Sequence, residues 1–273
     1  MEVQGKPKWL LFITIKSYPQ DPLPGVMLDA QRLYKVLSDN ADGEILWSRW
    51  LNDSLAIKKN ILKEIQNLGR ANLSAQVIIY FGGHGHRVDG ASYLLPYGAH
   101  WNSPLRDMIS MEELGAAVEK IDVEEIVLIL DCCYSGGLLG LATSLTEGLL
   151  QRADKACIIA ATRAQRAALE GDTGGVFIPT LCEALTNPLL SNEHGQIAIQ
   201  TAFDWTVQII QERVDAMIRK LVESLEQQGQ HIEAERVREN PVYRQKPVCI
   251  CRRDRPIYLT RVKPLVIVGD SNG

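Results

Sequence analysis

A histidine and a cysteine, each set among glycines after an apolar run, are the residues of this chain best suited to chemistry. His84 lies in Gly82-Gly83-His84-Gly85-His86, after Val77-Ile78-Ile79-Tyr80-Phe81. Cys133 lies in Asp131-Cys132-Cys133-Tyr134-Ser135-Gly136-Gly137, after the run from Ile126 to Leu130. A thiol attacks as its thiolate, whose ordinary pKa is about 8.5; a neighbouring imidazole lowers that value and later protonates a leaving amine. The backbone amides of Gly85 and Cys133, facing one carbonyl, would hold a developing oxyanion. The chemistry this arrangement predicts is acyl transfer. Each residue also has a plainer reading, the histidine as a turn residue and the cysteine as core. A zinc site from His84, His86, Cys132 and Cys133 is a further alternative, although adjacent cysteines rarely share one zinc, which favours a C-x₂₋₄-C spacing.

The pair can meet only if the chain builds a sheet whose strand ends share an edge. Trp9 to Ile15 is a short continuous apolar run, as in a strand buried on both faces. Tyr18 to Pro24 carries three prolines and reads as loop. Ala30, Leu33, Tyr34 and Leu37 then repeat at helical spacing. Ile45 to Leu51 reads as a second strand, and Asn52-Asp53 as the cap of a helix whose apolar face is Ile57, Ile61, Leu62, Ile65 and Leu68. Val77 to Phe81 is the third strand, ending abruptly in the glycine turn that carries His84. Ser92 to Pro96 suggests a small hairpin element, Met111 to Lys120 a helix, and Ile126 to Leu130 a fourth strand ending at the Cys133 turn. Ala156 to Ala161 is a fifth strand and Ile178 to Leu185 opens another helix. Strands alternating with helices imply an α/β fold: a mostly parallel sheet of about six strands sandwiched between helices. In such a sheet ligands bind beyond the carboxyl ends of the strands, where both turns would open.

From about Thr201 to Glu239 the pattern is a long helix, with Gly229 as its break and Pro241 as its end. Its stripe of Ala202, Trp205, Ile209, Val214, Ile218, Leu221 and Leu225 covers the sheet or docks a regulator or dimer partner. Val248 to Cys251 and Pro256 to Thr260 are short strand candidates. At 273 residues, with 46% hydrophobic and 23% charged residues, the chain suits one α/β domain of about 200 to 250 residues with extensions. The net charge of -4 argues against a nucleic-acid surface. No run approaches the ~18 apolar residues of a membrane helix, and the N-terminal apolar run reads as strand rather than signal peptide. The six cysteines are irregularly spaced, several of them within apolar runs. That suits buried thiols in a reducing compartment, so a cytoplasmic protein is expected.

These segments together resemble a known family. Tyr80-Phe81-Gly82-Gly83-His84-Gly85 resembles the metacaspase Y-S-G-H-G segment, and Asp131-Cys132-Cys133-Tyr134-Ser135-Gly136 resembles its D-x-C-x-S-G segment. Leu23-Pro24-Gly25-Val26-Met27-Leu28-Asp29-Ala30 looks like the L-x-G-x-x-x-D-A segment that follows the first strand. Ile158-Ile159-Ala160-Ala161-Thr162-Arg163 through Leu169-Glu170, with Gly175-Val176-Phe177, resembles the start of the small-subunit region. The separation of 49 residues between His84 and Cys133 agrees with the caspase spacing of about 50. The resemblance, over about residues 8 to 187, is to caspase- and metacaspase-like cysteine peptidases. It implies a caspase-like domain with a large-subunit-like region over 8–150, and a small-subunit-like region over 151–273 that carries the helical insertion at about 200–240. It makes Cys133 the nucleophile, Cys132 an inward-packed neighbour and His84 the acid/base.

The resemblance also bears on specificity. Caspases proper place an arginine at the position matching Leu23 and a glutamine at that matching Asp131; metacaspases line the S1 pocket with acids matching Asp29 and Asp131. Two carboxylates suit a guanidinium or ammonium, so Arg or Lys is expected at P1. Asp29 also has the plainer reading of a helix N-terminal charge. The aspartates of calcium-dependent metacaspases are not matched: Gly98 or Ala99 and Gly140 supply no side-chain oxygen and Asp107 stands alone, so no cofactor and no calcium dependence are expected. Arg152, the one basic residue between Leu138 and Asp154, is a candidate self-cleavage point. Bacterial relatives often serve defence or programmed death, switched on by an upstream protease or regulator. The rival reading is a catalytically silent caspase-like interaction module.

Overall fold

The computed structural model describes residues 5–133, 156–162, 175–239, 247–251 and 255–264, with Cys133 and Thr162 described by their backbone alone. Its centre is a sheet in the order β2-β1-β3-β6-β7-β9. The strands are β1 (Lys8–Thr14), β2 (Ile45–Asn52), β3 (Gln76–Val88), β6 (Glu125–Cys133), β7 (Ala156–Thr162) and β9 (Val248–Cys251). β2, β1, β3, β6 and β7 run parallel, and β9 closes the edge antiparallel to β7. β4 (Ala91–Leu94) and β5 (Ile109–Ser110) extend the far end of β3, while β8 (Gln196–Ala198) and β10 (Tyr258–Arg261) form a separate pair. The described helices are α1 (Val26–Asp39), α2 (Lys58–Asn67), α3 (Met111–Glu119), α4 (Phe177–Leu185), α5 (Ile199–Gln227) and α6 (His231–Glu239).

The continuous apolar strands follow from burial on both faces. Alternation sends Leu11, Ile13, Val77, Ile79, Phe81, Leu128 and Leu130 into a core under α2 and α3. Leu10, Phe12, Ile78, Tyr80, Val127 and Ile129 enter a second core under α1, α4 and α5. The mostly parallel α/β/α architecture expected from the sequence is the one observed. The long C-terminal helical stretch breaks at Gly229, whose φ of 74° is the left-handed conformation that glycine adopts cheaply. Among the described residues no helix is long and apolar enough to cross a membrane.

Three local expectations are corrected. The third strand does not end in a turn at Gly82: β3 continues through His84 to Val88, paired with β6 as far as His84 and with β4 from Gly85. The glycines there serve close approach. A Cβ on Gly82 would lie 2.4 Å from Val26 Cγ2, and one on Gly83 would lie 2.7 Å from the Tyr18 hydroxyl. The fourth strand likewise runs through Asp131 and Cys132 to Cys133. Asn52-Asp53 does not cap the next helix, whose N-cap is Ile57. Asp53 instead turns back on the loop after β1, where its carboxylate accepts from the amides of Lys16 and Ser17.

Candidate active site

Parallel pairing of β3 with β6 brings the two candidate residues together. The register runs Gly82 opposite Asp131, Gly83 opposite Cys132 and His84 opposite Cys133. Neighbouring strands lie about 4.8 Å apart, so the backbones of His84 and Cys133 are adjacent at one edge of the sheet. Cys132, one step back, is fully buried in the core under α2 and α3, packed inward as expected. Gly85, the other candidate amide, is opposite Leu94 of β4.

His84 is held on several sides. Its imidazole lies 4.3 Å from the Tyr18 ring and 4.8 Å from the Trp101 ring, centroid to centroid, and is almost wholly buried. Its Nε2 stands 2.7 Å from the backbone carbonyl of Asp21. A carbonyl oxygen only accepts, so Nε2 carries the proton and, in the neutral ring, Nδ1 carries the basic lone pair. The backbone is fixed as firmly. The His84 amide donates to the Tyr18 hydroxyl at 3.0 Å, that hydroxyl donates to the Leu95 carbonyl at 2.7 Å, and the Leu95 amide donates to the His84 carbonyl at 3.0 Å. Next to it, His86 packs on Trp101 at 5.3 Å, and burial pushes its pKa down.

The sequence offered His84, Cys133 and the glycines, but not Tyr18, Trp101 or Asp21. Tyr18 and Asp21 sit in the proline-rich loop after β1, whose irregular spacing carries no periodic signal. Asp21 meets His84 Nε2 through its backbone carbonyl, which leaves no trace in residue type, and its carboxylate oxygen lies 3.7 Å from the same nitrogen.

The two acidic candidates lie on the opposite face of the sheet from Cys132, toward α1. Asp29 occupies the first turn of α1 and is fully buried. Its Oδ2 accepts from the Gly175 amide at 2.7 Å and its Oδ1 is 3.5 Å from Arg32 Nη1. Asp131 is also buried, and its Oδ2 accepts from the Tyr80 hydroxyl at 3.1 Å. The missing side chain of Gly82 lets their surroundings approach each other, because a Cβ there would clash with Val26 Cγ2, in the same turn of α1 as Asp29, at 2.4 Å, and with the Tyr80 hydroxyl at 2.7 Å. Asp29 thus fulfils its plainer reading in part, as a buried first-turn charge with partners in its own chain, the Gly175 amide and the Arg32 guanidinium.

Arg152, Gly136, Gly137 and Gly140 lie outside the described residues. Gly98 and Ala99 carry no side-chain oxygen, and Asp107 is half exposed, 3.9 Å from Arg106 Nε. Among the described residues no group of three or more His, Cys, Asp or Glu side chains is arranged to hold a metal ion.

Comparison with known proteins gives two positive findings. A family model described as "Caspase domain" matches residues 7–256. Among solved structures, the chain is similar to the Drosophila initiator caspase Dronc, with a TM-score of 0.48 and 14% sequence identity over 76% of this chain and 74% of that one. No curated protein matches significantly.

Proposed function

The chain belongs to the caspase-domain family of cysteine peptidases, and from that premise we propose that it is an endopeptidase working through a Cys133–His84 dyad. The observation that carries the reading is the strand register that sets His84 opposite Cys133. In the first step the Cys133 sulfur adds to the scissile carbonyl as its proton passes to His84 Nδ1, the nitrogen left basic by the Asp21 carbonyl. The amides of Gly85 and Cys133 take the developing oxyanion. His84 then protonates the departing amine, leaving a thioester on Cys133. Water, deprotonated by the same imidazole, hydrolyses that thioester and restores the thiol.

The preference we assign is Arg or Lys at P1, held by Asp131 and Asp29. The reading is supported by Arg32, a guanidinium already beside Asp29, for whose place a P1 arginine would compete. We also assign a cytoplasmic effector role in defence or programmed death, released by an upstream protease or regulator, with cleavage at Arg152 and homodimerisation as features of activation.

Fluorogenic peptides with Arg, Lys or Asp at P1 test this. The wild-type chain should hydrolyse the Arg and Lys peptides and spare the Asp peptide. Cys133→Ala and His84→Ala should each lose at least about 10³-fold, and Asp131→Asn about 10- to 100-fold in kcat/KM on Arg, the worth of a charge-assisted hydrogen bond. Equal, negligible rates for wild type and Cys133→Ala under every activating condition would favour the silent interaction module.

A further inference from the structure

Three cysteines that the proposed catalysis leaves idle converge at the β7–β9 edge of the sheet. Cys157 of β7 is fully buried in the core under α4 and α5. Its register partner on β9 is Cys251. Cys249, two residues away and therefore on the same face of β9, has its sulfur 3.9 Å from that of Cys157. Both β9 residues are half-buried and pack against the same core layer. Gln200 of α5 donates to the Cys251 sulfur at 3.2 Å, which holds that side chain against the sheet.

This spacing suits a covalent bond. Residues directly opposite on antiparallel strands have Cα atoms about 4.5 to 5.5 Å apart, inside the range of about 4.4 to 6.8 Å that a disulfide spans. Cys251 is therefore within reach of Cys157 by register, the Cys249 sulfur already lies 3.9 Å from that of Cys157, and both β9 residues are half-buried rather than enclosed. We propose that Cys157, Cys249 and Cys251 form an oxidation site, in which a hydroperoxide oxidises a β9 thiol and Cys157 closes a disulfide that staples β9 to β7.

The steps balance. The β9 sulfur takes one oxygen from the peroxide, whose O–O bond breaks; the sulfur loses two electrons and becomes a sulfenic acid, and the peroxide leaves as water or alcohol. The Cys157 sulfur then attacks the sulfenic sulfur, and the displaced hydroxyl leaves as water with the Cys157 proton. Hydrogen bonding to Cys249 and Cys251, together with burial, pushes the Cys157 thiol pKa up. Closure is accordingly slow, on the minutes-to-hours scale of uncatalysed disulfide chemistry. The β9 ladder ends the sheet, and β7 is the neighbour of the Cys133 strand, so the staple stiffens the edge beside the catalytic strand.

The test uses the Cys133→Ala chain, which removes the reactive-site thiol from the chemistry and makes no use of peptidase activity. After hydrogen peroxide and alkylation, non-reducing peptide mapping should find one crosslink joining Cys157 to Cys249 or Cys251. The thermal midpoint should rise by on the order of 5–10 °C, reversed by dithiothreitol. Cys157→Ser should lose both effects. So should the Cys249→Ser/Cys251→Ser double variant, whose changes lie at half-buried positions and leave the fully buried Cys157 in place. Recovery of all three cysteines as alkylated thiols, overoxidation of the β9 cysteines with no crosslink, or a crosslink that omits Cys157 would overturn the proposal.

Discussion

Replacing Tyr18 by Phe removes a single oxygen and should weaken both the fold and the site. The hydroxyl is the shared partner of two backbone groups, accepting from the His84 amide at 3.0 Å and donating to the Leu95 carbonyl at 2.7 Å, and Tyr18 is only 6% exposed. The phenyl ring keeps its packing on the imidazole, so little apolar burial is lost. Each buried polar group left without its partner costs about 1–3 kcal/mol, and two such groups give about 2–6 kcal/mol. That is a large share of the ~5–15 kcal/mol by which domains are stable. Urea unfolding, followed through the fluorescence of the five tryptophans, should show a lower midpoint at unchanged slope. Because the same hydroxyl anchors the backbone that carries the imidazole, kcat on an Arg peptide should fall about 10- to 100-fold, the scale of a 1 Å misplacement. A stability loss below about 0.5 kcal/mol, with kcat unchanged, would refute the reasoning that this hydroxyl holds His84 in place.

Two further substitutions probe other parts of the fold. Gly83→Ala puts a methyl 2.7 Å from the Tyr18 hydroxyl and 3.0 Å from the Phe81 ring, and should cost about 1–3 kcal/mol by overpacking. Gly69→Ala, whose nearest neighbour is the Lys120 carbonyl at 3.6 Å, should be neutral or stabilising by under about 1 kcal/mol; equal urea midpoints for the two would refute the steric account. Lys8 is fully buried, and desolvation lowers its pKa from 10.5 to about 8 although its Nζ donates to the Asp42 carbonyl. Between pH 8 and 10.5 the unfolded chain therefore binds more protons, so stability rises with pH through that window, by on the order of 3 kcal/mol. Lys8→Met should be the more stable protein at pH 7 and lose that advantage by pH 10.5; parallel pH profiles for the two proteins would contradict it.

Much of the frame was legible in sequence because burial on both faces demands unbroken apolar runs. β1, β3, β6 and β7 were each located by such a run, to within a residue at their starts. α1 was located by its stripe, and the break between α5 and α6 by Gly229. The short strands β5 and β8 were not, since two or three residues carry no period. The ends of β3 and β6 were misread for a definite reason. Gly82-Gly83 has the composition of a turn, whereas here the missing side chains admit Val26 and Tyr18 against an extended strand.

By itself the sequence determined the parallel α/β frame and singled out His84 and Cys133 as the candidate pair, because residue type and hydrophobic period are properties of the chain. Only the tertiary structure decided the register that sets the two opposite each other. It alone supplied the Asp21 carbonyl that assigns the imidazole proton, the Tyr18 bridge, and the meeting of Cys157 with Cys249 across 92 residues. Backbone groups look alike at every position, and contacts between distant segments are made by packing, so neither leaves a local pattern to read.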